Sequence, residues 1–155
     1  MMSVYLLALL IGIVAGLRAM TAPALVSWAA YLGWINLNGT WLAFLGNAWT
    51  HWILTLLALG ELVTDQLPST PSRRVPVQFG TRIVTGGLSG AAIGAGSGAL
   101  VGGLLAGIAG AVIGTLGGSA FRARLAAAFG SDRPAAIIED LVAIGGALLI
   151  GVSLQ

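Results

Sequence analysis

Residues 86–118 read GGLSGAAIGAGSGALVGGLLAGIAGAVIGTLGG, a run in which a small residue recurs at every fourth position and no side chain is charged. Glycine disfavours an isolated helix in water by about 1 kcal/mol per residue relative to alanine. In lipid the backbone has no water to bond, so apolar segments become helices, and small residues four apart let two helix backbones touch. The run therefore predicts closely packed membrane helices. The expected packing glycines are Gly86, Gly90, Gly94, Gly98, Gly102, Gly110, Gly114 and Gly118.

This glycine run is too long for one membrane span. As a single helix it would extend about 50 Å, whereas the hydrocarbon core of a bilayer is about 30 Å thick. A break at Gly96-Ser97-Gly98 predicts two antiparallel helices, at 77–96 and 99–119, packed as a glycine-zipper hairpin. In the alternative arrangement, one glycine face serves the hairpin and the other contacts a neighbouring protomer.

The composition of the whole chain indicates an integral membrane protein. Of 155 residues, 57% are hydrophobic and only 8% are charged, and the mean hydropathy is +0.98. A soluble domain carries about a quarter charged residues. The chain has no cysteine and one histidine, so we expect neither disulfides nor a metal centre, and no cofactor. All seven basic residues are arginines near the ends of apolar segments, which favours the lipid bilayer over nucleic acid as partner.

Three further apolar segments complete the predicted all-α fold, a single domain over residues 1–155. Helices at 3–20, 48–67 and 134–154 bring the count to five transmembrane helices. The segment 22–35 would reach only about 21 Å, so we expect a re-entrant or interfacial half-helix. A second short, basic helix is predicted at 120–130. In outline, helix, half-helix and helix recur in the two halves, which suggests an inverted repeat of the kind found in transporters.

Five spans would place six arginines on the side of the N-terminus and leave Arg18 alone on the other side. The positive-inside rule then predicts the N-terminus inside and the C-terminus outside, in a bacterial inner membrane. Arg18 would either reach lipid phosphates from the outer face or bind an anion beside the half-helix. The six arginines are Arg73, Arg74, Arg82, Arg122, Arg124 and Arg133.

All five tryptophans fall between Trp28 and Trp52. Together with Tyr31 they predict an aromatic belt at one membrane face, because interfacial tryptophan is common. Stacking of a substrate on these rings is the functional alternative. His51 lies among them, and we expect it to make an interfacial polar contact rather than to act as a ligand.

Charged residues inside the predicted spans form the candidate site. The residues Glu61, Asp65, Arg82, Glu139 and Asp140 all fall in the inner halves of their helices, where charges are costly and therefore pair or line a wet cavity. One interpretation is a set of salt bridges that fix helix register, for example between Arg82 and Asp65. The other is a path or site for an ion, a proton or a small polar solute. No nucleophile–base pair, phosphate loop or metal-ligand spacing accompanies them, so we expect no enzyme and name no catalytic residue.

Several motifs resemble a family of small bacterial membrane proteins, the domain of unknown function 4126. The resemblance covers nearly the whole chain and implies that one shared pattern contains Arg18, Glu61, Asp65, Arg73, Arg82, Glu139 and Asp140. It implies no particular activity. The motifs are Gly16-Leu17-Arg18-Ala19, Glu61-Leu62-Val63-Thr64-Asp65-Gln66-Leu67-Pro68, Pro71-Ser72-Arg73, Arg82 with its following glycines, and Glu139-Asp140.

Three function classes follow from these features. The first is a transporter or channel, with the acids and Arg82 around a central polar site. The second is a structural or assembly protein that oligomerises through glycine faces, with its charges as salt bridges. The third, a membrane enzyme acting on lipid, lacks a catalytic set. We expect the first class, and a homo-oligomer in either of the first two, because five helices leave little room for a private pathway.

Overall fold

The computed structural model describes residues 3–37, 39–64, 76–130 and 132–154. In these ranges the chain forms six α-helices and one short 3₁₀ helix, with no strand. The all-helical class expected from the sequence is therefore confirmed. The helices are α1 (Val4–Leu17), α2 (Thr21–Tyr31), the 3₁₀ helix (Trp41–Gly46), α3 (Thr50–Thr64), α4 (Pro76–Ala95), α5 (Leu100–Phe129) and α6 (Asp132–Leu154).

The longest helix, α5, is continuous over 30 residues. The sequence interpretation divided this region into a span at 99–119 and a basic half-helix at 120–130, and that division was wrong. No proline or turn motif occurs at the junction, so the helical hydrogen bonds continue until Gly130. There φ is +68°, a left-handed conformation that glycine adopts easily and that ends many helices. The proposed inverted repeat required a separate short helix here, and α5 does not supply one.

A tight turn joins α4 to α5. The first helix ends at Ala95 and the second begins at Leu100, with Gly96-Ser97-Gly98 between them. Gly98 has φ of +75°, so a residue with a Cβ would be strained at this position. The N–H of Ala99 donates to the carbonyl of Gly94 at 2.7 Å. The two helices therefore run antiparallel and side by side.

Backbone-to-backbone contacts between glycines hold α1, α4 and α5 together. A Cβ at Gly90 would lie closer than 3.0 Å to the carbonyl oxygen of Gly103, and the reverse holds as well. Gly107 faces the carbonyl of Gly86 on α4, and a Cβ at Gly12 on α1 would strike Gly107 in turn. Such close approach permits many dispersion and Cα–H···O contacts. These three helices form the centre of the fold.

The packing glycines differ in part from those predicted by the four-residue stripe. Gly110 and Gly114 lie against the backbone of α1. The stripe omitted Gly103 and Gly107, although both contact α4. Conversely, Gly98 lies in the turn with open space around it, and Gly102 faces the ring of Tyr5. The helix turns 100° per residue, so a four-residue stripe drifts around it and passes from one neighbouring helix to the next.

The helices α1 and α2 are shorter than the sequence suggested. α1 ends at Leu17 rather than near residue 20, because Arg18 adopts an extended conformation with φ of −143° and ψ of 110°. α2 ends at Tyr31 rather than at residue 35 and is followed by a 3₁₀ helix that was not predicted. The described part of α3 is 15 residues long, and the remainder of its predicted span, 65–67, lies outside the described residues.

Successive helices alternate in direction along the bundle. Arg18 at the end of α1 bonds to Glu139 and Asp140 near the start of α6, while Leu7 of α1 and Ile150 of α6 line one groove at the opposite end. Residues 3 and 154 therefore lie at the same end of the bundle. The prediction that placed the chain termini on opposite sides was wrong, because α2 returns through the bundle instead of staying at one face.

Two helices of the described part are long and apolar enough to cross a membrane, Leu100–Phe129 and the portion Ile137–Leu154 of α6. Five such helices were predicted, so that count is corrected to two. α1 falls short at 14 residues, and α4 carries polar side chains over much of its length. Large apolar side chains are nevertheless exposed along α3, α5 and α6, for example Leu56 at 67% and Leu149 at 71%.

Candidate functional site

The helical path breaks at Arg18, between α1 and α2. A helix end leaves backbone groups without partners inside the helix, and these groups must be satisfied elsewhere. At the end of α1, the carbonyl of Gly16 accepts a hydrogen bond of 2.9 Å from Nη1 of Arg82, and that of Leu17 accepts one of 2.9 Å from Nη1 of Arg18. The negative end of the helix dipole favours positive charge at this position. Two guanidinium groups therefore cap α1.

A negatively charged group, the carboxylate of Glu61, lies at the start of α2. Both oxygens of the Glu61 carboxylate accept backbone hydrogen bonds of 3.0 Å, Oε2 from the N–H of Ala19 and Oε1 from that of Met20. Glu61 reaches them from the last turn of α3. A carboxylate before a helix N-terminus satisfies its free N–H groups and complements its dipole. Positively charged groups therefore lie at the C-terminal end of α1, and a negatively charged group lies at the N-terminal end of α2, as the two helix dipoles favour.

Arg18 itself is held by two acids of α6. Its Nε donates to Oδ1 of Asp140 at 2.5 Å, its Nη1 donates to Oε1 of Glu139 at 2.6 Å, and its Nη2 also contacts Asp140. Arg18 is completely buried, Glu139 is 1% exposed and Asp140 is 8% exposed. Removing one partner from such a buried pair leaves a charge in a poorly solvating interior. These contacts fix the end of α1 against α6.

Two longer contacts add to these pairs, and the resulting two sets meet at the backbone of residues 16–20. Nη2 of Arg82 lies 4.0 Å from Oε2 of Glu61, and Nη1 of Arg122 lies 3.8 Å from Oε1 of Glu139. We call the six residues the charge cluster: Arg18, Glu61, Arg82, Arg122, Glu139 and Asp140. Its three arginines and three acids balance in formal charge. The cluster joins α1, α3, α4, α5 and α6 at one end of the bundle.

The structure brings together five of the six site residues predicted from the sequence, and the sixth, Asp65, lies outside the described residues. The interpretation in which Arg18 reaches lipid phosphates was wrong, because its side chain is completely buried. That Arg18 binds an anion beside α2 remains a prediction. The sequence analysis used Arg122 only to predict the membrane orientation and did not include it among the site residues. The sequence contained a signal for this role of Arg122. It follows Gly114 and Gly118 at four-residue spacing, and both glycines are buried, so Arg122 lies on the same inward face of α5.

Aromatic side chains form a separate group around His51. The imidazole is 1% exposed. It stacks on Tyr31 with centroids 4.2 Å apart and meets Trp28 edge-on at the same distance. Trp28 donates from its indole nitrogen to Oγ1 of Thr55 at 2.8 Å. His51 makes a polar contact, since its Nδ1 lies 3.4 Å from the carbonyl oxygen of Asn47, but ring packing buries the imidazole, whereas Trp49 is 74% exposed.

A cleft of about 460 Å³ opens at the other end of α2, away from the charge cluster. It lies between the last turn of α2, the connection that follows it, and the 3₁₀ helix. Asn36 and Asn47 contribute amide groups to it, and Phe44 contributes an apolar wall. The short helix α2 therefore has the charge cluster at its first residue and a polar cleft at its last.

Among the described residues, no three histidine, aspartate or glutamate side chains are grouped so that they could hold a metal ion. What the described residues do contain is a helical bundle with a balanced, largely buried charge cluster at a helix break. The molecule is thus an all-helical protein with apolar outer faces and a charged interior at one end.

The chain belongs to the DUF4126 family, a domain of unknown function, which matches residues 5–152. The family membership inferred from the sequence motifs is therefore confirmed. Among curated proteins and among solved structures, none matches the chain. The family description assigns no activity, so the function has to be argued from the charge cluster.

Proposed function

We propose that the chain is a multi-pass protein of a bacterial inner membrane. Apolar side chains on the outer faces of α3, α5 and α6 support this, since a soluble monomer rarely exposes so large an apolar surface. The low content of charged residues, 8%, supports it as well. Close backbone contact through glycine is the packing expected between membrane helices, and we interpret the contacts of α4 with α5 as a glycine zipper.

The arginines suggest an orientation for this arrangement. Arg18, Arg82, Arg122 and Arg124 belong to the end of the bundle that holds the charge cluster. In the sequence, Arg73 and Arg74 fall between α3 and α4, and Arg133 is the second residue of α6. By the positive-inside rule, this end faces the cytoplasm. Both ends of the described chain would then face the outside.

Within that membrane setting, we propose that the protein acts as a transporter or channel for an ion or small polar solute, with the charge cluster as its site. The single observation that carries the proposal is the helix break at Arg18. There the end of α1 and the start of α2 meet in the interior, beside the acids Glu139 and Asp140 that bind Arg18. Discontinuous helices of this kind form substrate and ion sites in transporters. Ionisable residues inside a membrane domain are also costly, and are kept mostly for function.

A flux assay in liposomes tests this function. Purified protein is reconstituted, and movement of protons and small ions is followed with fluorescent dyes. We expect flux above that of protein-free vesicles, its loss in Glu61→Gln, and its retention in Arg124→Gln, a charge removal on the exposed side of α5. Absence of flux for all ions and solutes in folded wild-type protein would overturn the proposal.

A structural role is the second candidate, and one observation favours it: Arg18, Arg82 and Glu139 are at most 3% exposed. In this alternative the cluster only fixes helix register, and the protein assembles with copies of itself. Flux would then be absent, and Glu61→Gln would lower thermal stability without any change in membrane permeability. A homo-oligomer, which we propose in both cases, is tested by crosslinking in native membranes.

A further inference from the structure

We infer that the cleft between the last turn of α2 and the 3₁₀ helix is a binding site for a neutral sugar. The cleft lies at the opposite end of α2 from the charge cluster, so this site is additional to the one in the proposed function and stands independently of it. Its volume of about 460 Å³ falls within the range of about 300–1,000 Å³ that is usual for small-molecule sites. The described residues that line it combine amide groups with an aromatic wall and include no charged side chain.

The 3₁₀ helix forms a fixed wall of this cleft. Its Leu42 and Leu45 are buried, at 0% and 1% exposure, and anchor it in the core. The hydroxyl of Ser27 on α2 donates to the carbonyl of Leu45 at 2.5 Å, which ties the two sides of the cleft together. Ala43 and Phe44, on the same short helix, line the cleft. The site is therefore formed before a ligand arrives, and little conformational freedom is lost on binding.

Small residues leave the space of the cleft open. A Cβ at Gly33 would meet no atom within 4 Å, and a Cβ at Gly46 would make only an ordinary contact with Ala30. Larger side chains at these positions would occupy the cleft. The lining residues that have no side chain beyond Cβ are Ala30, Gly33, Ala43 and Gly46.

Asn47 supplies a directed polar group in the cleft. Its backbone N–H donates to the carbonyl of Phe44 at 3.1 Å, and its Oδ1 accepts a hydrogen bond of 3.0 Å from the N–H of Trp49. These bonds fix the amide, while its nitrogen donates to none of the described residues. An amide nitrogen carries two N–H groups, so Asn47 can donate to a ligand. The side chain of Asn36 adds a second amide to the lining.

This lining selects a neutral ligand that carries hydroxyl groups. A charged ligand would lose hydration and meet no opposite charge on the described lining residues. Hydroxyl oxygens accept hydrogen bonds from amide N–H groups, and hydroxyl protons are donated to amide oxygens. The ring of Phe44 provides an apolar wall, and its electron-rich face attracts the C–H groups on one face of a sugar ring. A pyranose presents hydroxyl groups and an apolar face together.

A sugar can reach the cleft from water or as the head group of a glycolipid in the same membrane. Exposed aromatic side chains lie next to the cleft in the sequence, with Trp41 at 62% and Trp49 at 74% exposure. Such residues are typical of the membrane–water interface, where both sources are within reach. The chemistry that the cleft recognises is the same in the two cases, so the experiment has one arm for each.

Intrinsic tryptophan fluorescence measures the binding, because all five tryptophans fall within residues 28–52, the part of the chain that contains the cleft. The protein is held in phosphatidylcholine nanodiscs, which avoids detergents that have sugar head groups. In the first arm, the soluble methyl glycosides of glucose, galactose and mannose are titrated. In the second arm, dodecyl glycosides of the same sugars are added to the nanodiscs. We expect a saturable fluorescence change with at least one sugar, and binding by the dodecyl form alone would identify the lipid head group as the source.

Methyl glucuronide has the ring of methyl glucoside and adds a carboxylate. If methyl glucoside is the sugar that binds, we expect the glucuronide to bind at least about tenfold more weakly. Equal affinities of the two would contradict a site for neutral ligands. Absence of any saturable change with all three sugars, in both arms and with folded wild-type protein, would overturn the inference.

Variants of the cleft separate this site from nonspecific binding. Ala43→Leu, at an exposed position, fills the cleft and should lower affinity at least about tenfold. Ala127→Leu, the same change at an exposed alanine of α5, is the matched control and should bind as wild type. Asn47→Ser keeps an acceptor for the N–H of Trp49 but loses the amide donors, and should also weaken binding. Wild-type affinity in folded Ala43→Leu would overturn the inference, whereas absence of ion flux in liposomes would overturn the transport function and leave the sugar site standing.

Discussion

Arg18 and Asp140 stand 122 positions apart in the sequence and are joined by a hydrogen bond of 2.5 Å from Nε to Oδ1. This contact links the end of the first helix to the start of the last one. It also explains why α1 stops at Leu17, since the chain at Arg18 must leave the helix for its guanidinium to reach both acids of α6. One side chain thus determines a helix boundary and the closure of the bundle.

Replacement of Arg18 by methionine, which keeps an unbranched apolar stem and removes the guanidinium, should destabilise the fold by about 3–5 kcal/mol, because Glu139 and Asp140 lose their buried partner. Chemical unfolding in detergent measures this loss. Arg124→Gln, at an exposed position of α5, is the matched control and should change stability by less than about 0.5 kcal/mol. Equal effects of the two variants would contradict the assigned role of Arg18.

Gly107 lies between the backbones of α4 and α1, where a Cβ has no room. Gly107→Ala should therefore cost about 1–3 kcal/mol through overpacking. Gly117 occupies the same helix but faces open space, so Gly117→Ala should stabilise by up to about 1 kcal/mol through helix propensity. In thermal unfolding we expect a lower midpoint temperature for Gly107→Ala and a higher one for Gly117→Ala. A higher midpoint temperature for both variants would show that α5 is not packed as described.

The alternating helix directions place Ser3 and Ser153 at one end of the bundle and Arg124 at the other. The chain has no cysteine, so single cysteines at these positions can be labelled with a membrane-impermeant maleimide in intact cells. We expect Ser3→Cys and Ser153→Cys to react from outside, and Arg124→Cys to react only after the membrane is opened. Labelling of Ser3→Cys and Ser153→Cys from different sides would contradict the described topology.

His51 is packed among the rings of Trp28, Tyr31 and Trp52. His51→Ala should lower stability by about 1–3 kcal/mol, since aromatic contacts of this kind contribute about 0.5–1.5 kcal/mol each, and it should change the fluorescence of Trp28. Trp49→Ala removes a side chain that is 74% exposed and serves as control in the same thermal scan. A larger loss in Trp49→Ala than in His51→Ala would contradict the buried position of the imidazole.

Local sequence signals account for the helical class and for the identity of most cluster residues. Charged side chains within apolar segments stand out in composition alone, which is why Glu61, Arg82, Glu139 and Asp140 could be selected before their contacts were known. Their pairing could not be predicted in the same way. The acids that bind Arg18 lie more than 100 positions away in the sequence. Which end of α1 meets α6 depends on the direction in which α2 runs, and the sequence pattern does not show that direction.

The errors of the sequence interpretation have one physical source. The erroneous helix boundaries were set by the membrane thickness, whereas tertiary packing determines them in the structure. α5 continues through Gly117 and Gly118 because glycines earlier in the same helix, such as Gly107 and Gly114, pack against the backbones of α4 and α1, a gain that outweighs the low helix propensity of glycine. α1 ends early for the opposite reason, because an ion pair competes with the next helical turn.

The long separation between Arg18 and its acids also matters during biosynthesis. Glu139 follows Arg18 by 121 positions, which corresponds to about 6–24 seconds of translation. For that time the first helix carries a guanidinium whose partners have not yet been made. Newly made α1 is therefore expected to remain at the insertion machinery, or at the water-exposed edge of the bilayer, until the last helix leaves the ribosome.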